Sequence, residues 1–149
     1  MPRTPADDDP AALERFIAAQ EGVHDRALAE LRQGRKQSHW MWFVFPQLRG
    51  LGQSRTAWFY GIEDADEARR YLDHPLLGRR LIDCAEAVLT HGDRTAEAIF
   101  GPVDAVKLRS SATLFGAVAR RPSPFGELID RFFDGTPCRL TLERLGGTS

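Results

Sequence analysis

Asp104, Lys107 and Ser111 fall at i, i+3 and i+7 of the segment Asp104 to Phe115. On a helix that spacing sets a carboxylate, an amine and a hydroxyl in one stripe beside Leu108, Leu114 and Phe115. Such a stripe can hold an anion, or move a proton if burial alters its groups. Ser110 and Thr113 add further hydroxyls. In the sharper reading Lys107 and the hydroxyls line a pocket and Asp104 orients the lysine. In the plainer one Asp104 and Lys107 form an intrahelical pair near a helix N-terminus, and the small serines let helices pack closely.

A second segment carries charge and rings. From Leu31 to Ile62 there is no acidic residue, yet Arg32, Arg35, Lys36, Arg49 and Arg55 lie there with all three tryptophans, Trp40, Trp42 and Trp58. Phe43, Phe45, Phe59 and Tyr60 bring the segment to half of the chain's aromatic residues. In a protein of formal charge −1 this sorting favours something anionic or something that stacks. Trp40 and Trp42 offer ring faces, and His39 offers a donor or acceptor near neutral pH. A short helix here would set His39, Trp42 and Phe43 on one side and Trp40 with Val44 on another, apolar nearly all round and therefore buried. It is either a pocket wall or a core helix with a hydrogen-bonded His39. The loop Gln47 to Ser54, with Gly50 and Gly52 flanked by Arg49 and Arg55, is either an anion site on backbone N–H groups or a tight connection. The dinucleotide fingerprint fails, because Arg55 stands where a third glycine is needed.

Other chemistry finds no support. His24, His39, His74 and His91 form no pair at ligand spacing, so neither metal nor cofactor is expected. His74 before Pro75 suits a helix cap. There is no nucleophile elbow or cysteine-nucleophile context. Cys84 and Cys138 match no metal or redox spacing and read as small hydrophobes of a reducing compartment, which points to the cytoplasm. Residues 1–9 lack the basic start and apolar stretch of a signal peptide. The longest apolar run, Trp40 to Pro46, is far short of the roughly 20 residues a membrane span needs. The charge balance speaks against broad nucleic-acid binding.

The elements that must position these groups are helices. Asp9-Pro10, His74-Pro75, Gly101-Pro102, Ser123-Pro124 and Thr136-Pro137 pair a capping residue with proline at a first helical position. Asp64 with Glu67 is a capping-box pattern, and Ser54 suits a cap. Glycines 34, 92 and 146 suit left-handed stops. These marks predict helices near 10–20, 22–33, 39–45, 54–60, 64–73, 75–91, 95–100, 102–120, 124–133 and 137–145. Sustained alternation is absent, so the expected fold is all-α: a compact array of about eight to ten short helices. Residues 1–8 are expected to be frayed and 9–149 to form one domain.

In combination, Ser38-His39-Trp40-Met41-Trp42-Phe43-Val44-Phe45-Pro46-Gln47-Leu48, Gly50-Leu51-Gly52, Tyr60-Gly61-Ile62, His74-Pro75-Leu76-Leu77-Gly78 and the segment 104–115 resemble the DUF1810 family, from about Leu13 to Leu145. The resemblance implies a single all-helical domain and no established activity. Ala112 stands where the family pattern suggests methionine. The calpastatin-like label sometimes attached to the family does not suit this chain, since such inhibitors are extended and repetitive.

The functional expectation is a small anionic ligand, phosphorylated or nucleotide-like, held between residues 38–54 and the helix 102–120. The binding candidates are His39, Trp40, Trp42, Gln47, Arg49, Lys107, Ser110 and Ser111. Were there turnover, His39, Asp104 and Lys107 are the catalytic candidates for a hydrolase or glycosidase on a nucleotide-like substrate. The alternative is an interaction module whose basic face docks an acidic protein or nucleic acid.

Overall fold

The computed structural model describes residues 12–146. The expected start at Asp9-Pro10, the frayed residues 1–8 and the residues after Gly146 lie outside the described residues. Ten helices follow one another: α1 (Glu14–Gln20), α2 (His24–Gln33), α3 (Met41–Val44), α4 (Arg55–Phe59), α5 (Ala65–Asp73), α6 (Leu77–Leu89), α7 (Ala96–Phe100), α8 (Pro102–Val118), α9 (Phe125–Phe132) and α10 (Arg139–Gly146). The expectation of an all-α array holds. Among the described residues the nearest thing to a strand is one parallel bridge, Leu48 with Ile62.

Local caps set several boundaries. Ser54, Asp64 and Thr95 each accept the N–H three residues ahead, starting α4, α5 and α7. The return half of the capping box is displaced by one residue, since the Glu67 carboxylate takes the N–H of Glu63 rather than that of Asp64. Of the four described proline starts, Pro102 alone is a first helical residue, and Pro124 is an N-cap. Pro75 and Pro137 stand two residues early. The reason at Pro75 is a turn: His74 Nδ1 accepts from the N–H of Leu76 and of Leu77 before the helix begins, so His74 is a cap, as expected. Gly34 ends α2 at φ 81° in the left-handed region, as expected. Gly92 and Gly146 do not act as left-handed stops: Thr90 ends α6 and Gly146 lies within α10.

The organising element is α8, which packs on α5, α7, α9 and α10 and buries most of its circumference. Water reaches it mainly at Pro102, Val103 and Val106 near its start and at Gly116 and Ala117 near its end, while Ser110 to Phe115 are all buried. Next to it, α6 packs on α2, α3, α5 and α9. Trp40, Met41, Val44, Phe45, Leu108, Leu114 and Phe115 all belong to this core.

Two polar knots tie the N-terminal third to it. Arg15 and Glu67 form a fully buried ion pair at 3.1 Å, and the remaining guanidinium hydrogens go to the carbonyls of Ala12, Phe59 and Gly61. Every donor so placed avoids the penalty of an unpaired buried charge. Gln20 donates to the Phe43 carbonyl at 2.7 Å and to Tyr71 Oη at 3.0 Å, which anchors α3 from below.

Candidate functional site

The basic aromatic segment begins at a clamp. Glu30, late in α2, accepts from the N–H of Gln37 and of Ser38, from Ser38 Oγ, and from Trp40 Nε1 at 2.9 Å. Burial pushes its carboxyl up, but the hydrogen bonds from Ser38, Gln37 and Trp40 outweigh it and hold the group at about 2. This clamp folds residues 36–40 back over the start of α8.

Lys36 is the consequence. Its N–H bonds the Ile99 carbonyl at 2.8 Å, and its ammonium reaches Asp104 Oδ2 at 2.9 Å while lying 5.1 Å from the Trp40 ring centre. Asp104 Oδ1 faces Lys107 Nζ at 3.6 Å, so the intrahelical pair forms as well. Lys107 in turn stands 5.0 Å over the ring of Trp42. The three charged side chains are only 8%, 18% and 20% exposed for Lys36, Asp104 and Lys107. One carboxylate between two ammonium groups leaves the cluster one positive charge, set against two indoles.

The sequence candidates are thus partly united. Trp42, Asp104 and Lys107 meet, joined by Lys36, which the sequence placed in a basic run but not in the site. Trp40 reaches the cluster only through Lys36, being fully buried with its N–H spent on Glu30. His39 is exposed on the same loop. The hydroxyls divide. Ser110 Oγ donates to the Val106 carbonyl and lies 3.4 Å from Cys138 Sγ, and Thr113 Oγ1 accepts the Cys138 N–H at 2.8 Å, so both serve the start of α10. Ser111 Oγ is buried without a hydrogen-bond partner. Asp104 is committed to two ammonium groups.

Gln47 and Arg49 belong elsewhere. The Gln47 carbonyl accepts the Ile62 N–H at 2.9 Å. Arg49 Nε donates to the Trp58 carbonyl with its guanidinium 4.6 Å over the Trp58 ring, and it borders a cavity of about 460 Å³ shared with Arg144 and the acidic Glu63, Asp64 and Asp66. The Gly50–Gly52 loop is a tight connection: a Cβ on Gly52 would stand 2.6 Å from that of Ala57.

The thiols differ. Burial pushes Cys84 up to about 12. At Cys138 burial acts the same way but is outweighed by hydrogen bonds from Ser110 and Thr141, leaving the thiol below its ordinary value. Among the described residues no three His, Cys, Asp or Glu groups gather as a metal site, and no helix is long and apolar enough to cross a membrane.

A family model described as protein of unknown function (DUF1810) matches residues 10–145. The crystal structure of the conserved hypothetical protein Rv1873 from Mycobacterium tuberculosis is 47% identical, with a TM-score of 0.89, over 93% of this chain and 99% of that one. Among curated proteins none matches the chain.

Proposed function

The chain belongs to the DUF1810 family of proteins of unknown function, and from that premise we propose that it binds a small anionic ligand where the aromatic segment meets α8. The supporting observation is the sharing of Asp104 by Lys36 and Lys107, with Lys107 over Trp42. A phosphate or carboxylate would take up the cluster's positive charge, and a ring on the ligand would stack on the half-buried Trp42. His39, exposed on the clamped loop, supplies the further donor. The ligand class is phosphorylated or nucleotide-like, and the place of action is the cytoplasm.

The test is a thermal-shift screen with AMP, ADP-ribose and glucose 6-phosphate, run beside Lys107→Met and His39→Ala. A probe at about a hundred times its dissociation constant adds roughly 2.7 kcal/mol. That raises the melting temperature by about 5–10 °C in a chain of this size. The reading requires a shift in the wild type that Lys107→Met abolishes. No shift from any probe removes it.

A second reading, an interaction module for an acidic protein or nucleic acid, draws on a different observation: Trp58 is 52% exposed beneath the Arg49 guanidinium. A binding partner whose capture depends on Trp58 and not on Lys107 would favour it.

A further inference from the structure

A cavity of about 520 Å³ opens where the corner between α5 and α6 meets the chain leaving α8, and its lining includes His74, Arg79, Arg120 and Arg121. Three arginines and one acidic residue, Asp73, are among the lining residues. Among the described residues none of these arginines has a carboxylate within ion-pair distance.

Structural duties account for part of this cluster. Arg120 and Arg121 follow the C-terminal end of α8, where cations complement the helix dipole. Arg79 has no such explanation, since it lies in the first turn of α6, at the positive end of that dipole. The first amides of α6 are already taken by His74 Nδ1, so the helix end itself is not the attraction. What His74 retains is its other nitrogen: with Nδ1 accepting two N–H groups, the proton sits on Nε2 and makes it a donor. Three arginines and His74 therefore line one concavity, with an excess of two positive charges over Asp73.

We infer that this cleft is a second ligand site, for a phosphomonoester carried on an apolar or ring-bearing body. A phosphomonoester bears close to two negative charges at neutral pH and accepts several charge-assisted hydrogen bonds, which the guanidinium fork matches. The apolar share of the lining, chiefly Pro75, Ile82 and Pro122, faces the rest of such a molecule. The volume lies in the range of small-molecule sites. The cleft is distinct from the Lys107 cluster: Lys107 and Val118 are separated along α8 by roughly 16 Å of helix.

The experiment is calorimetric titration of the full chain with phenyl phosphate, inorganic phosphate and phenol, at two salt concentrations. The variants are Lys107→Met, which removes the Lys107 cluster as a competing site, and in that background Arg79→Gln and the pair Arg120→Gln/Arg121→Gln. All three cleft arginines are exposed, so the variants are expected to fold, which their melting curves check. Phenyl phosphate should bind saturably and more tightly than phosphate, phenol should not bind, and salt should weaken the complex. Each cleft variant should lose about tenfold or more in affinity relative to Lys107→Met alone, as expected for charge-assisted contacts, and Lys107→Met itself should keep saturable binding at the cleft. Absence of saturable binding at about 10 mM phenyl phosphate, a level that detects even millimolar affinity, overturns the inference. So does binding that is already lost in Lys107→Met alone, or that survives the Arg120→Gln/Arg121→Gln change in that background. Equal affinity for phosphate and phenyl phosphate overturns the assignment of an apolar body.

Discussion

Asp104 holds Lys36 at 2.9 Å and thereby fastens the loop after α2 to the first turn of α8. Lys36 is almost wholly buried, so the carboxylate is its principal source of solvation. Removing its charge in Asp104→Asn leaves the ammonium with the Trp40 ring and at best a neutral amide oxygen, which should cost about 2 kcal/mol. Lys107 is more exposed and its loss leaves Asp104 paired, so Lys107→Met should cost under about 1 kcal/mol. Urea denaturation of both variants checks the order. The same order keeps Lys107→Met usable as a folded probe of ligand binding.

Glu30 should give the protein an acid-sensitive step. Its carboxyl is held at about 2, against an ordinary value of 4.5. A group whose folded value is depressed stabilises the fold above its unfolded value and loses that contribution as pH falls toward the folded one. Stability should therefore decline between about pH 4.5 and pH 2, by as much as about 3 kcal/mol from this group. Glu30→Gln should flatten that part of the profile and destabilise at neutral pH, because a neutral amide oxygen would accept more weakly from Gln37, Ser38 and Trp40, and its NH2 would meet Ser38 Oγ, which donates to the carboxylate. Urea midpoints across the acid range, read by tryptophan fluorescence, measure both effects.

What was legible in the sequence is what local chemistry decides. Ser54 and Asp64 cap helices by accepting the N–H three residues on, and His74 turns its ring on the two amides after Pro75. Trp42 and Lys107 could be singled out because each stands in a patterned segment. That Trp40 is core and Trp42 is not depended on the Glu30 clamp, whose four donors lie on a loop redirected by Gly34. Lys36 acquires its role only when that loop reaches Asp104. The His74 cleft has no spacing signature, because Arg79 and Arg121 come from opposite ends of different helices.

The Arg15–Glu67 pair should behave as one unit. Glu67→Gln leaves a fully buried guanidinium without its counter-charge, and Arg15→Met leaves a buried carboxylate, so either should cost about 3–5 kcal/mol. Arg15→Met/Glu67→Met removes both charges at once. Its cost should fall short of the sum of the single changes by about 1 kcal/mol or more, a coupling that a double-mutant cycle in urea reads directly.

Gly78 separates a structural from a ligand-facing role for the His74-Pro75-Leu76-Leu77-Gly78 motif. A Cβ placed there would stand 2.0 Å from the Leu72 carbonyl oxygen, which is backbone and cannot swing aside. Gly78→Ala must therefore push α5 and α6 apart, and should cost more than about 3 kcal/mol. Gly126, also helical, has nothing within 4 Å of such a Cβ and no positive φ. There alanine relieves the chain entropy of glycine without strain, so Gly126→Ala should stabilise by about 0.5–1 kcal/mol. Thermal melts of the two variants should move in opposite directions. A Gly78→Ala protein that melts like the wild type would show that the corner can open, and would free the glycine for a role at the neighbouring cleft.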